Sequence, residues 1–394
     1  MILTKEDTIA IDQLNKEAWD IVRTDPSRTL ELAQQSLERS QELDYQKGVA
    51  YALGNIGAAH TWMSDYESAL KNCFDSTELL RALGEKAHEA QIQYYLSIVF
   101  YFLADAEKQI HHAQISFNIA EEIGDIGAQA NALNGIGTSH YTTGKNEEAI
   151  KVLLKAEKLA IKSKDANLLA RIYDGLGTAN TNSGNYEVAL EFMNKSLKLI
   201  EKTAVKQTQS YAHDGIGNIY RHLKNYTKAL EHYRISFELR KEMGFKDGMG
   251  ITMLHIAETY SVADDNLSAV QHYKEALQIG QELNSNELIY KSHQGLSELY
   301  EDMGNLTLFV KHFKSFHAAK QAFLSENEDK KIKAFELKGK LDQIEKEKKE
   351  LERKNSELES YFKDVQTLSS IGHEITSTLE LKLFSILFTS VLIP

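Results

Sequence analysis

The chain is poor in the residues that interrupt helices or cross-link a fold. Its 394 residues contain two prolines, Pro26 and Pro394, and one cysteine, Cys73. Because proline is excluded from helix interiors, its scarcity favours an almost entirely helical protein. One cysteine forms no disulfide within the chain, which suits a reducing compartment. Cys73 falls on the expected inner face of a helix, so we interpret it as a small core residue.

Long apolar segments are also missing. The longest apolar run, residues 383–393, is too short to span a bilayer as a helix. The N-terminus, Met-Ile-Leu-Thr-Lys-Glu-Asp, lacks the basic and then apolar pattern of a secretory signal. We therefore expect a soluble, cytoplasmic protein that does not bind membranes.

An excess of positive charge is absent as well. The formal net charge is -12 at pH 7, whereas nucleic-acid binding calls for a basic face. The negative excess lies mostly before residue 326, because acidic and basic residues are nearly balanced over residues 326–354. This argues against a nucleic-acid partner and favours basic or amphipathic peptides.

What the chain does contain is a forty-residue period. Small residues recur at steps that are multiples of forty, and so do alanines twelve residues later. The first series is Gly57, Gly137, Gly177 and Gly217, and the second is Ala69, Ala149, Ala189, Ala229 and Ala269. Turn-forming residues separate the two series. Each unit is therefore predicted to be two helices in close contact at the small residues, with no strands.

These residues resemble the tetratricopeptide repeat. Its signature is represented here by Leu176-Gly177, Tyr186 and Ala189. The usual period is about 34 residues, and the forty-residue version looks like the repeats of Rap-type regulators and Pins/LGN-type adaptors. HEAT and armadillo units have a similar length but do not predict this phasing. The resemblance implies an all-α, right-handed superhelical solenoid of about eight helix pairs over residues 5–325.

A heptad pattern follows the repeats and predicts a coiled coil over residues 326–370. Two apolar series alternate every seven residues, with Lys348 and Asn355 as polar members. The series are Leu337, Ile344, Leu351, Leu358, Val365 and Ala334, Leu341, Lys348, Asn355, Phe362. Such a seam predicts a parallel homodimer through residues 334–365. The alternative is a single long, charged helix.

Residues 371–394 are predicted to begin a further domain. Residues 368–381 resemble the entry helix of a GAF sensory domain, which implies a truncated signalling protein. In such families a kinase, cyclase or phosphatase output follows. The segment around His373 also resembles the phosphoacceptor box of histidine kinases, but Thr376 and Thr378 replace its usual arginine and proline. The alternative function is therefore a fragment of a sensor histidine kinase, with His373 as phosphoacceptor.

Other catalytic, cofactor and metal sites are not indicated. The Gly-x-Gly segments follow helical sequence rather than a strand, so they do not fit a nucleotide-binding loop. Histidines also recur with the period, at His112, His232, His272 and His312. Equivalent residues of neighbouring units are about one helix diameter apart, roughly 10 Å, which is too far to share an ion held at about 2 Å. We expect no enzyme activity, no cofactor and no metal.

The first helices of the units are expected to line the concave groove of the solenoid. Polar and aromatic residues recur there, which suggests peptide binding, since amides and guanidinium groups hold peptide backbone and charge. The alternative is a solvated face with incidental polarity. The predicted groove residues are Tyr94, Tyr101, Asn131, Asn134, Tyr141, Arg171, Asp174, Asn182, Tyr211, Asp214, Asn218 and Arg221. The sequence thus predicts an interaction module of a bacterial-type signalling protein, with a peptide or protein partner.

Overall fold

The computed structural model describes residues 4–200 and 206–391, and the side chains of the last helix in part. No strand occurs within these ranges, which confirms the all-α prediction. The helices are α1 (Lys5–Ile21), α2 (Pro26–Glu42), α3 (Gln46–Trp62), α4 (Tyr66–Leu83), α5 (Lys86–Phe102), α6 (Ala106–Glu122), α7 (Ile126–Thr142), α8 (Asn146–Ser163), α9 (Ala166–Asn182), α10 (Tyr186–Ile200), α11 (Lys206–His222), α12 (Tyr226–Glu242), α13 (Lys246–Val262), α14 (Asn266–Leu283), α15 (Asn286–Asp302) and α16 (Leu306–Val391).

A left-handed backbone conformation recurs every twenty residues and separates the helices. In each described connection from α2–α3 onward, one residue adopts a left-handed conformation, which ends the helix and turns the chain. These residues are Asp44, Ser64, Gly84, Ala104, Gly124, Gly144, Lys164, Gly184, Lys224, Gly244, Asp264, Asn284 and Gly304. A capping residue commonly follows, as where Asp165 accepts a hydrogen bond from the Leu168 N–H at 2.9 Å. Two such steps make one forty-residue unit.

The two helices of a unit touch where the sequence places small residues. A Cβ added to Gly57 would lie 2.5 Å from Cys73 Sγ, and one added to Gly217 would lie 2.5 Å from Tyr233 Cε1. The alanines of the second series are fully buried. This confirms that the small residues permit close approach of the helices. Cys73 is buried as predicted, and burial raises the pKa of its thiol to about 12.

A recurring hydrogen bond also ties the second helix of a unit to the first. The Ser76 hydroxyl donates to the Ala50 carbonyl at 2.7 Å, and Ser116 donates to Ala90 at 2.8 Å. The same bond joins Ser196 to Ala170 and Ser236 to Ser210. Each of these buried hydroxyls donates its hydrogen to a main-chain carbonyl of the neighbouring helix. The bond fixes the register between the two helices. This bond was not predicted from the sequence.

The chain divides into two compact units, Met1–Glu328 and Asp329–Pro394. The first contains the helix pairs. The second contains the rest of α16, on which Leu351, Leu358 and Val365 are 59, 66 and 62% exposed. None of the helices among the described residues combines the length and apolarity that crossing a bilayer requires.

We expect Gly217→Ala to destabilise the solenoid, because the new methyl group would displace the fully buried ring of Tyr233. Overpacking of this kind typically costs about 1–3 kcal/mol, more than the roughly 1 kcal/mol that alanine gains over glycine in a helix. The midpoint of urea denaturation should therefore fall.

The matched control is Gly127→Ala in α7. A Cβ there meets its nearest atom, Asp125 Oδ1, at 3.4 Å. This variant should be as stable as the original chain or more so. Equal midpoints for the two variants would show that the glycine contact does not limit helix approach.

Candidate functional site

The first helices of successive units form one wall. α1 contacts α3, and the series of neighbours continues through α5, α7, α9, α11, α13 and α15. Residues at the same position of successive units therefore form rows along this wall. Such rows present a ligand with similar groups at regular intervals, about one helix diameter apart.

Two adjoining cavities open at the N-terminal end of the wall. One has a volume of about 350 Å³ and lies against α1, α3, α4 and α5. The other has a volume of about 290 Å³ and lies against α1, α5 and α7. Trp19, Asp20 and Gln91 line both. We call the two cavities together the depression; it extends over the first four units.

Aromatic rings form much of this depression. Trp19 packs edge-on against Tyr95, with ring centroids 5.1 Å apart. Tyr51 stacks on His88 with centroids 3.6 Å apart, and its hydroxyl donates to Glu85 Oε2 at 2.9 Å. Burial lowers the pKa of His88 to about 4, so the imidazole is neutral at pH 7. Rigid rings of this kind bury ligand area at low entropic cost.

A row of polar side chains runs out of the depression along the wall. Gln91, Asn131 and Arg171 are spaced by forty residues, and the first two line the smaller cavity. Arg171 Nη2 donates to Asn131 Oδ1 at 3.1 Å. The Gln91 Oε1 atom is buried and has no hydrogen-bond partner among the described residues. A buried acceptor without a partner is costly, so this atom is suited to receive an N–H group from a ligand.

Several predicted groove residues lie at or beside the depression. Tyr94 and Asn131 line the smaller cavity. The Tyr94 ring packs on Gly135, and the Tyr141 ring packs on Gly175. Tyr101 is 41% exposed. Burial raises the pKa of the Tyr141 phenol, with further contributions from Tyr101 and Asp174, so these groups lie close together.

Other predicted residues are engaged within the protein. The Asn182 amide donates to Asn146 Oδ1 at 3.5 Å, on the second helix of the preceding unit. Asn218 accepts a hydrogen bond from the Tyr233 hydroxyl at 2.9 Å. Arg221 forms an ion pair with Glu258. Asn134 is buried, while Tyr211 is 48% exposed and lies under the Arg240 guanidinium, 5.4 Å from its ring centroid.

Four residues of the depression were not among the predicted groove residues: Trp19, Tyr51, His88 and Gln91. The forty-residue register does contain a signal for two of them. Extending the row Asn131 and Arg171 toward the N-terminus reaches Gln91 and then Tyr51. Trp19 and His88 carry no comparable signal, because the path of the first three units brings them to the depression.

The periodic histidines pack within their own units. His232 Nδ1 lies 2.9 Å from His213 Nδ1, and His312 Nδ1 lies 3.0 Å from His293 Nδ1. In the third unit, His112 instead shares a 2.8 Å hydrogen bond with Gln93 Oε1. Across the part of the chain that the structure describes, no cluster of three or more histidine, cysteine or acidic residues could hold a metal ion. The side chain of His373 lies outside the described residues.

Comparison with known proteins identifies the repeats. The family model for the tetratricopeptide repeat matches residues 128–202 and 208–282, together less than half of the chain. The chain thus contains tetratricopeptide repeats, as the sequence predicted. A search of curated proteins found no match.

Solved structures share the fold at low sequence identity. A signal-transduction ATPase with a tetratricopeptide-repeat sensor from Pyrococcus horikoshii is 17% identical with a TM-score of 0.63; the match covers 82% of this chain but only 50% of that one. The apo quorum sensor NprR from B. thuringiensis is 14% identical with a TM-score of 0.62, covering 81% and 88%. A Rap protein complexed with competence and sporulation factor is 14% identical with a TM-score of 0.55, covering 80% and 99%. This similarity identifies a tetratricopeptide-repeat solenoid, not a function.

The histidine pairs make stability depend on pH. Burial lowers the pKa of His213 to about 4, and that of His312 to about 4, with repulsion from the partner histidine contributing to both. Unfolded histidines take up a proton near pH 6.5. The contribution of each histidine to the free energy of unfolding is therefore fully present above that pH. It is lost as the pH falls toward 4, by at most about 1.4 kcal/mol per pH unit for each group.

We expect the melting temperature to fall between pH 7.5 and pH 5. The double variant His213→Gln with His293→Gln copies the amide–imidazole pair of the third unit and should show a shallower decline. Replacing the exposed His111 by Gln serves as the control. An unchanged slope in the double variant would contradict a role for the pairs.

Proposed function

We propose that this chain is a non-catalytic interaction module that binds a peptide segment, or a segment of a partner protein, along the wall of first helices. The observation that carries the proposal is the buried, unpartnered Gln91 Oε1 at the junction of two cavities. A peptide N–H would satisfy this acceptor. The Asn131 amide, whose oxygen is held by Arg171, offers its N–H₂ group to a peptide carbonyl one unit further along.

The composition of the depression supports a peptide rather than a small polar metabolite. The cavities share lining residues and combine aromatic rings with side-chain amides. Extended peptides are recognised by such combinations, in which main-chain hydrogen bonds give affinity and pockets select side chains. One protein of similar fold has been solved with competence and sporulation factor bound, which supports ligand binding by this type of solenoid.

We further propose that α16 mediates a parallel homodimer through residues 334–365. Leu351, Leu358 and Val365 lie seven residues apart and are more than half exposed, and so is Phe362 of the second series. An exposed apolar stripe at this spacing is buried when two helices supercoil. Asn355 interrupts the stripe with a polar group, which favours a two-stranded coil in one register.

The phosphoacceptor hypothesis for His373 remains the alternative function. No described feature of the site favours it over the groove. It predicts that radiolabelled phosphate, transferred by a supplied kinase domain, is absent from a His373→Ala variant.

The groove is tested with twelve-residue peptides selected from a random displayed library on the immobilised full chain. The double variant Gln91→Ala with Asn131→Ala should weaken binding of the selected synthetic peptides at least tenfold in fluorescence anisotropy. Two hydrogen bonds at about 1 kcal/mol each account for this change.

The matched control for the groove is Gln114→Ala with Asn118→Ala. These two amides bond to each other at 2.8 Å on the exposed surface of α6. Their removal should change affinity less than twofold. A library that yields no peptide, or peptides that bind both double variants equally, would count against the groove.

Dimerisation is tested by light scattering on the full chain, which should have twice the mass of the 44.6 kDa monomer. Leu351→Asp with Leu358→Asp should convert it to a monomer, because charges at the seam cannot be buried. Ser360→Asp lies off the seam and should remain dimeric. A monomeric original chain would refute the coiled-coil dimer.

A further inference from the structure

The forty-residue register places two aspartates at the same position of neighbouring units. Asp174 lies on α9 and Asp214 lies on α11. The row also contains Tyr94, eighty residues before Asp174, which lines the smaller cavity. Two identical side chains at equivalent positions allow a comparison within one molecule of what surrounds each carboxyl group.

The carboxyl group of Asp214 is contacted by two basic side chains of its own chain. Arg240 Nη1 lies 3.2 Å from one oxygen, and His255 Nδ1 lies 3.2 Å from the other. The Thr252 hydroxyl approaches the first oxygen at 3.4 Å. Burial would raise the pKa of Asp214, but the hydrogen bond and charge of His255, together with Arg240, hold it below its ordinary value. Asp214 is therefore an ionised, fully partnered group.

Asp174 lacks every one of these partners. The residues forty positions before Arg240, Thr252 and His255 are Ile200, Ala212 and Gly215. None of them carries a charge or a side-chain donor. The Asp174 Oδ1 atom is buried and has no hydrogen-bond partner among the described residues. Burial raises the pKa of this carboxyl to about 7.

The surroundings of Asp174 suit a cation from outside. Asp174 as a whole residue is partly exposed, and its buried Oδ1 atom is the carboxyl oxygen that has no partner among the described residues. The Tyr141 ring packs on Gly175, the residue next to Asp174, and the partly exposed Tyr101 lies near Tyr141. A carboxylate beside aromatic rings is a favourable environment for a guanidinium or ammonium group, because the ring faces attract cations as well.

We propose that Asp174, flanked by Tyr141 and Tyr101, forms a subsite for an arginine or lysine side chain of the bound peptide. This inference rests on the peptide-binding function proposed above. The Asp214–Arg240 pair one unit further along is an internal example of the occupied state. The negative net charge of the chain, -12, also favours a basic ligand.

The experiment uses the peptides selected on the full chain. We expect arginine or lysine at one fixed position, and replacing that residue by neutral citrulline or norleucine should weaken binding at least tenfold. Asp174→Asn should weaken binding of the basic peptide by a similar factor but leave the neutral peptide within twofold. The two losses should not add, because they remove the same ion pair.

A second variant supplies a cation to the subsite from the protein's own chain. Ile200→Arg places an arginine at the position equivalent to Arg240, and it should compete with the peptide's cation and weaken binding at least tenfold. Its melting temperature reports whether the fold is retained. Asp174→Asn keeps the proposal testable if this arginine is not tolerated.

The outcomes separate the two proposals. If peptides bind in a manner that depends on Gln91 and Asn131 but tolerate citrulline or norleucine, or bind Asp174→Asn unchanged, the cation subsite is overturned and the groove stands. If Asp174→Asn weakens basic and neutral peptides equally, its role is structural and the subsite is again overturned. If no peptide depends on Gln91 and Asn131, both proposals fail.

Discussion

The close approach of paired helices at small residues is the contact on which the rest of the solenoid depends. A Cβ added to Gly57 or Gly217 would lie 2.5 Å from an atom of the second helix, so the helices touch with no room for a side chain. The alanines of the second helices, such as Ala229, are fully buried against the same contact. Because the contact recurs every forty residues, each unit has nearly the same geometry and presents the same face to its neighbours.

This regularity turns sequence positions into rows on a surface. Once the first helices stack in one register, a residue is brought beside the residues forty positions before and after it. The Arg171–Asn131 hydrogen bond is a direct result. A substitution at one position of a row changes the chemical group that the wall presents to a ligand at that point, while the helix packing stays the same. Asp214 with Arg240 and Asp174 with Ile200 share a backbone arrangement but offer a ligand different carboxyl groups.

The arrangement also explains why binding is the favoured interpretation. In the part of the chain that the structure describes, the first helices form a wall, and its two cavities lie against helices of several units. Solved proteins that share the fold include a quorum sensor and a signal-transduction ATPase with a repeat sensor. The fold therefore supplies a surface, and the side chains on it decide the partner.

The sequence by itself determined the helical class, the eight helix pairs and the points where they touch, because the period of Gly57, Gly177 and Ala189 reflects local geometry that repeats. It also placed Tyr94 and Asn131 on the wall of first helices. Only the tertiary structure decided that Trp19 packs on Tyr95 two units away, that Gln91 is left without a partner and that Arg240 occupies Asp214. These contacts depend on the path of successive units and on which side chains meet between them. The spacing of residues along the sequence does not specify such contacts.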